Sequence, residues 1–194
     1  MTVIICPGMH PKTWTDSFLA QLDAVYPAQA SDRVVFNHSS GMQWSAYALR
    51  AYLTAYAITP PIILIAFSAG CIAASGMAQY WEQRGYPIAG LIAVDGWGAP
   101  TVGKFRAYRL SHDAFTHDSS AWLGRGEVSF YADPSVAHAQ LWRYPAAVWG
   151  QQMGDFNSPG GDMRMQATAL QFLHNCLQYL QALETVDSKD VKNQ

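Results

Sequence analysis

Charge is scarce in this chain. Lys and Arg number 12 and Asp and Glu 14, together 13% of 194 residues, and the formal net charge is −2. No basic stripe or acidic tail is present, which leaves no electrostatic footprint for nucleic acid or an anionic lipid surface. Cysteine is rarer still. Cys6, Cys71 and Cys176 stand far apart and are odd in number, so they outline neither a disulfide framework nor metal-ligand spacing. Long apolar runs are missing too, since none reaches the ~20 residues of a membrane-spanning helix. The opening MTVIICPG has no basic start and too short an apolar run for a secretory leader. These absences lead to the expectation of a cytoplasmic protein with no nucleic-acid or membrane partner. Internal repeats, low-complexity tracts and linkers are also lacking, and the length suits one domain.

Apolar and aromatic residues fill the space instead. Half of the chain is hydrophobic, with seven Trp, ten Tyr and eight Phe. Val3-Ile4-Ile5-Cys6, stopped by Pro7-Gly8, has the form of a short buried strand. Trp14, Phe18, Leu19, Leu22 and Val25 recur at helical spacing before Pro27. Arg33 to Phe36 forms a second strand, and Trp44, Tyr47, Ala48, Ala51, Tyr52 and Ala55 mark a second helical face. After Pro60-Pro61 comes a third strand, Ile62 to Phe67, then a helix from Ala69 to about Arg84 with Gly85 as its stop. Ala89 to Val94 and Val128 to Tyr131 are a fourth and a fifth strand, and Met165 to Leu183 is the last helix. Continuous apolar strands alternating with helices predict an α/β three-layer sandwich with a mainly parallel central sheet of about five strands. The domain spans 1–184, with a polar tail at 185–194. Two long irregular connections, 96–127 and 133–161, follow strand ends, where open parallel sheets carry their sites.

The junction Ala66-Phe67-Ser68-Ala69-Gly70 lies between the third strand and its helix. A serine between small residues at such a turn projects its hydroxyl above the sheet edge, and the helix N-terminus aims partial positive charge at the same spot. This arrangement resembles the nucleophile elbow of the α/β-hydrolase superfamily, with Ala66 where the common motif has glycine. The resemblance covers about residues 2–134 in element order and implies a small single-domain serine hydrolase with a minimal α/β-hydrolase fold. It makes Ser68 the nucleophile. It also implies an oxyanion site formed by the backbone amides of Met9, in Pro7-Gly8-Met9-His10, and of Ala69.

A serine hydroxyl needs a base, and the base needs an orienting carboxylate. Asp95 and Asp133 both follow strand ends. The stretch before the last helix, where the superfamily places its histidine, has none. His138 follows the last clear strand and keeps the expected order, with Asp95 as its carboxylate. Pairing it with Asp133, five residues away, requires the loop to fold back. His117 and His112, in Ser111-His112-Asp113-Ala114-Phe115-Thr116-His117-Asp118, are the alternatives, ahead of His10, His38 and mid-helix His174. The spacing of His112 and His117 does not place them on one helical face and no His-Glu-x-x-His run exists, so no metal is expected. No glycine-rich dinucleotide fingerprint follows a strand, and no organic cofactor is expected.

Aromatics in the two connections (Trp97, Phe105, Tyr108, Phe115 and Trp122, then Trp142, Tyr144, Trp149 and Phe156) and few cations favour an uncharged or acyl substrate. The expected activity is ester or thioester cleavage by a Ser-His-Asp mechanism on a small molecule. The alternative is an inactive hydrolase-like scaffold that binds an apolar ligand or a partner protein.

Overall fold

The computed structural model describes residues 1–27, 33–37, 41–157 and 163–190. The elements run β1 (Thr2–Cys6), α1 (Lys12–Val25), β2 (Arg33–Val35), α2 (Ala46–Leu53), β3 (Ile62–Phe67), α3 (Gly70–Glu82) and β4 (Ile88–Val94). They continue as β5 (Arg106–Ser111), α4 (Ala114–Ser120), β6 (Val128–Ala132), α5 (His138–Arg143), β7 (Trp149–Met153), β8 (Arg164–Thr168) and α6 (Ala169–Asp190). One sheet holds all the strands in the order β2-β1-β3-β4-β5-β6-β7-β8. From β2 to β6 the pairing is parallel, and β7 and β8 are added antiparallel. This is the expected α/β sandwich, wider than the five strands read from the sequence.

Successive side chains of a strand point to opposite faces, so strands covered on both sides must be apolar throughout. In β3, Ile63, Ile65 and Phe67 pack with Phe18 and Leu22 of α1, Trp142 of α5 and Phe172 of α6. Leu64 and Ala66 face the other way, onto Leu49 and Leu53 of α2 and Ala73, Ala74 and Met77 of α3. These side chains are fully or almost fully buried, and each large one stabilises the fold by about 1.5–3 kcal/mol. A rigid base of this kind can hold a strained residue at its rim.

The connection 96–127 is not irregular: it contains β5, α4 and a short 3-10 turn at Ala121–Leu123. Its strand was hidden because Arg106-Ala107-Tyr108-Arg109-Leu110-Ser111 carries two arginines. Arg109 is nevertheless only 3% exposed. Its guanidinium donates to the carbonyls of Ala99 (2.8 Å) and Gly124 and to Thr101 Oγ1 (3.2 Å). These bonds satisfy a buried cation that desolvation alone would make costly. The connection 133–161 likewise contains α5 and β7, and the last helix begins at Ala169 because 164–168 is β8. The expected tail begins inside α6, which continues to Asp190. No helix among the described residues is long and apolar enough to cross a membrane.

Candidate active site

Ser68 turns the chain from strand to helix within one residue. Its N–H still donates to Val94 O of β4 (2.9 Å), while its carbonyl already accepts from Cys71 N–H (3.0 Å) at the start of α3. The backbone reconciles the two with φ +52°. Asp95 does the same at the end of β4, with φ +50° and its N–H donating to Leu110 O (2.7 Å). Among the described residues these are the two non-glycine positions with left-handed backbone. Such strain costs about 1–3 kcal/mol each and collects at functional sites.

Small residues around the serine have specific neighbours. A Cβ on Gly70 would lie 2.1 Å from Cys6 O and 2.6 Å from Pro7 O, so α3 starts directly against the end of β1. A Cβ on Gly8 would meet the Ser68 Cβ at 2.9 Å, which places the loop after β1 against the nucleophile candidate. Met9 follows in a tight turn closed by His10 N–H to Gly8 O (3.1 Å). Its side chain is exposed and does not line the cleft around Ser68. Ala69 does line that cleft. Its amide precedes the first intrahelical bond and is among those an α-helix leaves without an internal acceptor.

The Asp95 carboxylate is the hub. The residue is 4% exposed and accepts from His138 Nδ1 at 2.8 Å through Oδ2. Oδ1 accepts from the His112 backbone N–H at 2.9 Å and contacts His112 Nδ1 at 3.0 Å. Two loops converge on it, the one after β5 carrying His112 and the one after β6 carrying His138, and Val136 N–H donates to His112 O (3.0 Å) to tie them together. The His112 ring is held at its other end as well, with Nε2 3.4 Å from Asp113 Oδ2. Asp113 caps α4 by accepting from Thr116 N–H, and that bond holds its carboxyl below the usual carboxylate range.

The His138 ring is fixed by stacking. It lies on Phe67 with centroids 4.6 Å apart and planes 24° from parallel. Phe67 stacks in turn on Trp142 (5.1 Å), and Trp142 on Phe18 (3.7 Å). The residue before the nucleophile candidate thus orients the imidazole on one side and joins the core on the other.

Ser68, Asp95, His112 and His138 line one cleft of about 390 Å3, together with Ile72, Trp97 and Phe115. Trp97 is 71% and Phe115 77% exposed, so the rim is open and apolar. A larger cavity, about 760 Å3, lies between α2 and α3, but it is lined by Tyr47, Arg50, Tyr80 and Arg84 and by none of the reactive groups of the Ser68 cleft. Cys71, the second residue of α3, is no rival nucleophile, because burial pushes its thiol up to about 12.

Several sequence candidates lie elsewhere. Asp133 follows β6 with an exposed side chain and its N–H on Trp149 O (3.0 Å), outside the cleft. His117 rests on Tyr131 (5.2 Å) in α4, and burial holds it below the ordinary imidazole value. His174 lies mid-way along α6, and His38 falls outside the described residues. His10 stacks on Trp14 (5.3 Å) behind Phe67, and burial is the main cause of its lowered pKa. Of the aromatics expected over the site, Trp97 and Phe115 line the cleft. Phe105, Tyr108 and Trp142 are buried instead, and Trp122 and Trp149 face solvent. The sequence offers His112 as an alternative base and sets it aside, with His117, as a metal ligand. Its partnership with Asp95 and the stacking role of Phe67 went unread, because both depend on strands lying side by side.

Among the described residues, Asp95, His112 and His138 are the group of side chains that could hold a metal ion, offering one ligand atom each within 4.8 Å of one another.

No family model matches the chain, and no curated protein matches it. Among solved structures, a crystal structure from Pectobacterium atrosepticum described as a "putative yden-like hydrolase" is similar. It shares 18% identity over 63% of this chain and 71% of that one, with a TM-score of 0.45. At that level the likeness carries no argument about activity, and the site's own geometry has to supply one.

Proposed function

We propose that this protein is a serine hydrolase that cleaves an ester or thioester of an uncharged, apolar acyl substrate. The observation that carries the reading is the 2.8 Å bond from His138 Nδ1 to Asp95 Oδ2 in the cleft that also holds the left-handed Ser68. With Nδ1–H donated to the carboxylate, the His138 Nε2 lone pair is the acceptor for the Ser68 proton. His112 is the poorer base, because its Nε2 is turned toward Asp113.

In this mechanism Ser68 Oγ attacks the acyl carbonyl as His138 takes its proton. The oxyanion then gathers charge beside the Ala69 amide and the α3 N-terminus, with the Met9 amide as the second donor. Preorganised donors of this type lower a barrier by several kcal/mol. His138 returns the proton to the leaving alcohol or thiol, and water, deprotonated by the same imidazole, releases the acyl group. Ile72, Trp97 and Phe115 give the substrate an apolar wall and suit an uncharged acyl or aryl group better than a phosphate.

A fluorophosphonate probe tests the proposal. Wild-type protein should be labelled, and Ser68→Ala should not. If folded wild-type protein takes no label, the reading fails and a non-catalytic binding scaffold replaces it.

A further inference from the structure

We propose that Asp95, His112 and His138 form a binding site for a divalent transition ion of the zinc type, and that occupancy silences the hydrolase. The site itself stands on geometry alone; the silencing rests on the serine-hydrolase reading above.

The first observation is the ligand set. Two imidazoles and one carboxylate, from three different loops, present ligand atoms within 4.8 Å of one another at the floor of an open cleft. The sequence expectation of no metal considered His112 with His117, whereas the fold pairs His112 with His138. Imidazole nitrogen suits zinc and its neighbours and not magnesium or calcium, which prefer all-oxygen shells. Tetrahedral zinc at its usual bond lengths spaces its ligand atoms about 3.3 Å apart. The contacts to Asp95 are 2.8 Å and 3.0 Å, and all three ligand atoms lie within 4.8 Å of one another, so an ion needs each imidazole to part slightly from the carboxylate and the two imidazoles to settle at the same spacing. His138, whose side chain is 46% exposed, has the room to do so.

The second observation concerns the other nitrogen of His112. His112 has a carboxylate at each end, Asp95 at Nδ1 (3.0 Å) and Asp113 at Nε2 (3.4 Å). A neutral imidazole can donate from only one nitrogen. The structure bonds Nδ1 to Asp95; an ion taking the place of that proton would leave the ring's N–H at Nε2, on the side of Asp113. A metal-bound histidine has this form: one nitrogen on the ion, the other N–H on a carboxylate that fixes the ring.

Silencing follows from proton placement. In the free enzyme His138 donates Nδ1–H to Asp95 and keeps Nε2 as an acceptor. Coordination through Nδ1 requires the neutral ring to carry its single proton on Nε2 instead, exchanged through water with no net change in charge. An Nε2–H cannot accept the proton of Ser68, so the base is lost while the ion remains.

Calorimetry of metal-free protein with zinc chloride, with magnesium chloride as control, tests the site. One zinc per chain should bind at micromolar or lower concentration, and magnesium should not. His112→Asn should weaken zinc binding by about 100-fold and Asp113→Asn, outside the ligand set, by about tenfold. Turnover of p-nitrophenyl acetate should fall with zinc occupancy and return with EDTA. In His112→Asn the ratio of rates with and without zinc should approach one, whatever its basal rate. A zinc-induced rise in melting temperature, present in wild type and absent in His112→Asn, reports the same event without catalysis. No zinc uptake by wild type, or unchanged affinity in folded His112→Asn, overturns the site. A rate that rises with zinc and vanishes with EDTA overturns silencing and makes the ion catalytic. Zinc binding without fluorophosphonate labelling would keep the site and remove the hydrolase reading.

Discussion

A left-handed serine is strained for a reason glycine escapes: its Cβ crowds the following carbonyl oxygen, at roughly 1–2 kcal/mol. Ser68 carries this strain at φ +52°, and the strain can be read separately from the hydroxyl. Ser68→Ala and Ser68→Gly both remove the hydroxyl, but only the second relieves the backbone. Urea unfolding should find Ser68→Gly more stable than Ser68→Ala by about 1 kcal/mol, with neither variant labelled by fluorophosphonate. The proposed acid and base have their own test. His138→Ala and Asp95→Asn should each lower kcat/KM for an ester substrate by roughly 10³-fold or more, with the fold intact by circular dichroism. His117 gives a contrasting residue-level outcome. Burial keeps its pKa below the ordinary 6.5, against the opposing pull of Asp118 and with help from Arg125 and Arg109. The unfolded chain therefore binds this proton at a higher pH than the folded chain. Stability contributed by the neutral ring is full above the unfolded value and declines as pH falls through about 6.5. His117→Gln should flatten that part of the stability–pH curve and leave turnover near neutral pH almost unchanged.

Elements place these residues by contact as much as by sequence. Phe67 ends β3 between His138 and Trp142, so a smaller side chain there unseats His138 while Ser68 stays on its turn. Phe67→Leu should lower kcat about tenfold or more with little change in KM, since small misplacements of a reacting group are costly. Gly70 sets the seat of α3 against β1. Gly70→Ala drives a Cβ into the carbonyls of Cys6 and Pro7, which are backbone and cannot swing aside. Thermal unfolding should show a loss of about 1–3 kcal/mol. Legibility in the sequence also divided by element. β1, β3 and β4 stood out because helices cover both faces and every side chain had to be apolar. β5 was concealed by Arg106 and Arg109, one paired with Glu127 and the other dissolved in loop carbonyls. β7 (Trp-Gly-Gln-Gln-Met) and β8 (Arg-Met-Gln-Ala-Thr) carry polar side chains at the antiparallel edge and give no apolar run. The serine was legible from its own neighbours in the chain. The role of His112 was not, because it depends on β5 lying between β4 and β6.

Across the whole molecule, the groups of the cleft come from the ends of β3, β4 and β5 and from the loop after β6, neighbours in the sheet. Such a site survives until the sheet melts. The proposed esterase activity and far-ultraviolet circular dichroism should therefore be lost at the same temperature, as in a two-state transition. Activity that disappears well below the melting point would point to a cleft assembled by loops alone. Because adjoining strands lie about 4.8 Å apart, the sheet serves as a ruler for the Ser68 hydroxyl, the carboxylate and the two imidazoles. Trp97 and Phe115, by contrast, project from segments beyond those strand ends. Lengthening or recolouring these segments changes which molecules are admitted without moving the marks on the ruler, so selectivity can drift while the chemistry stays fixed.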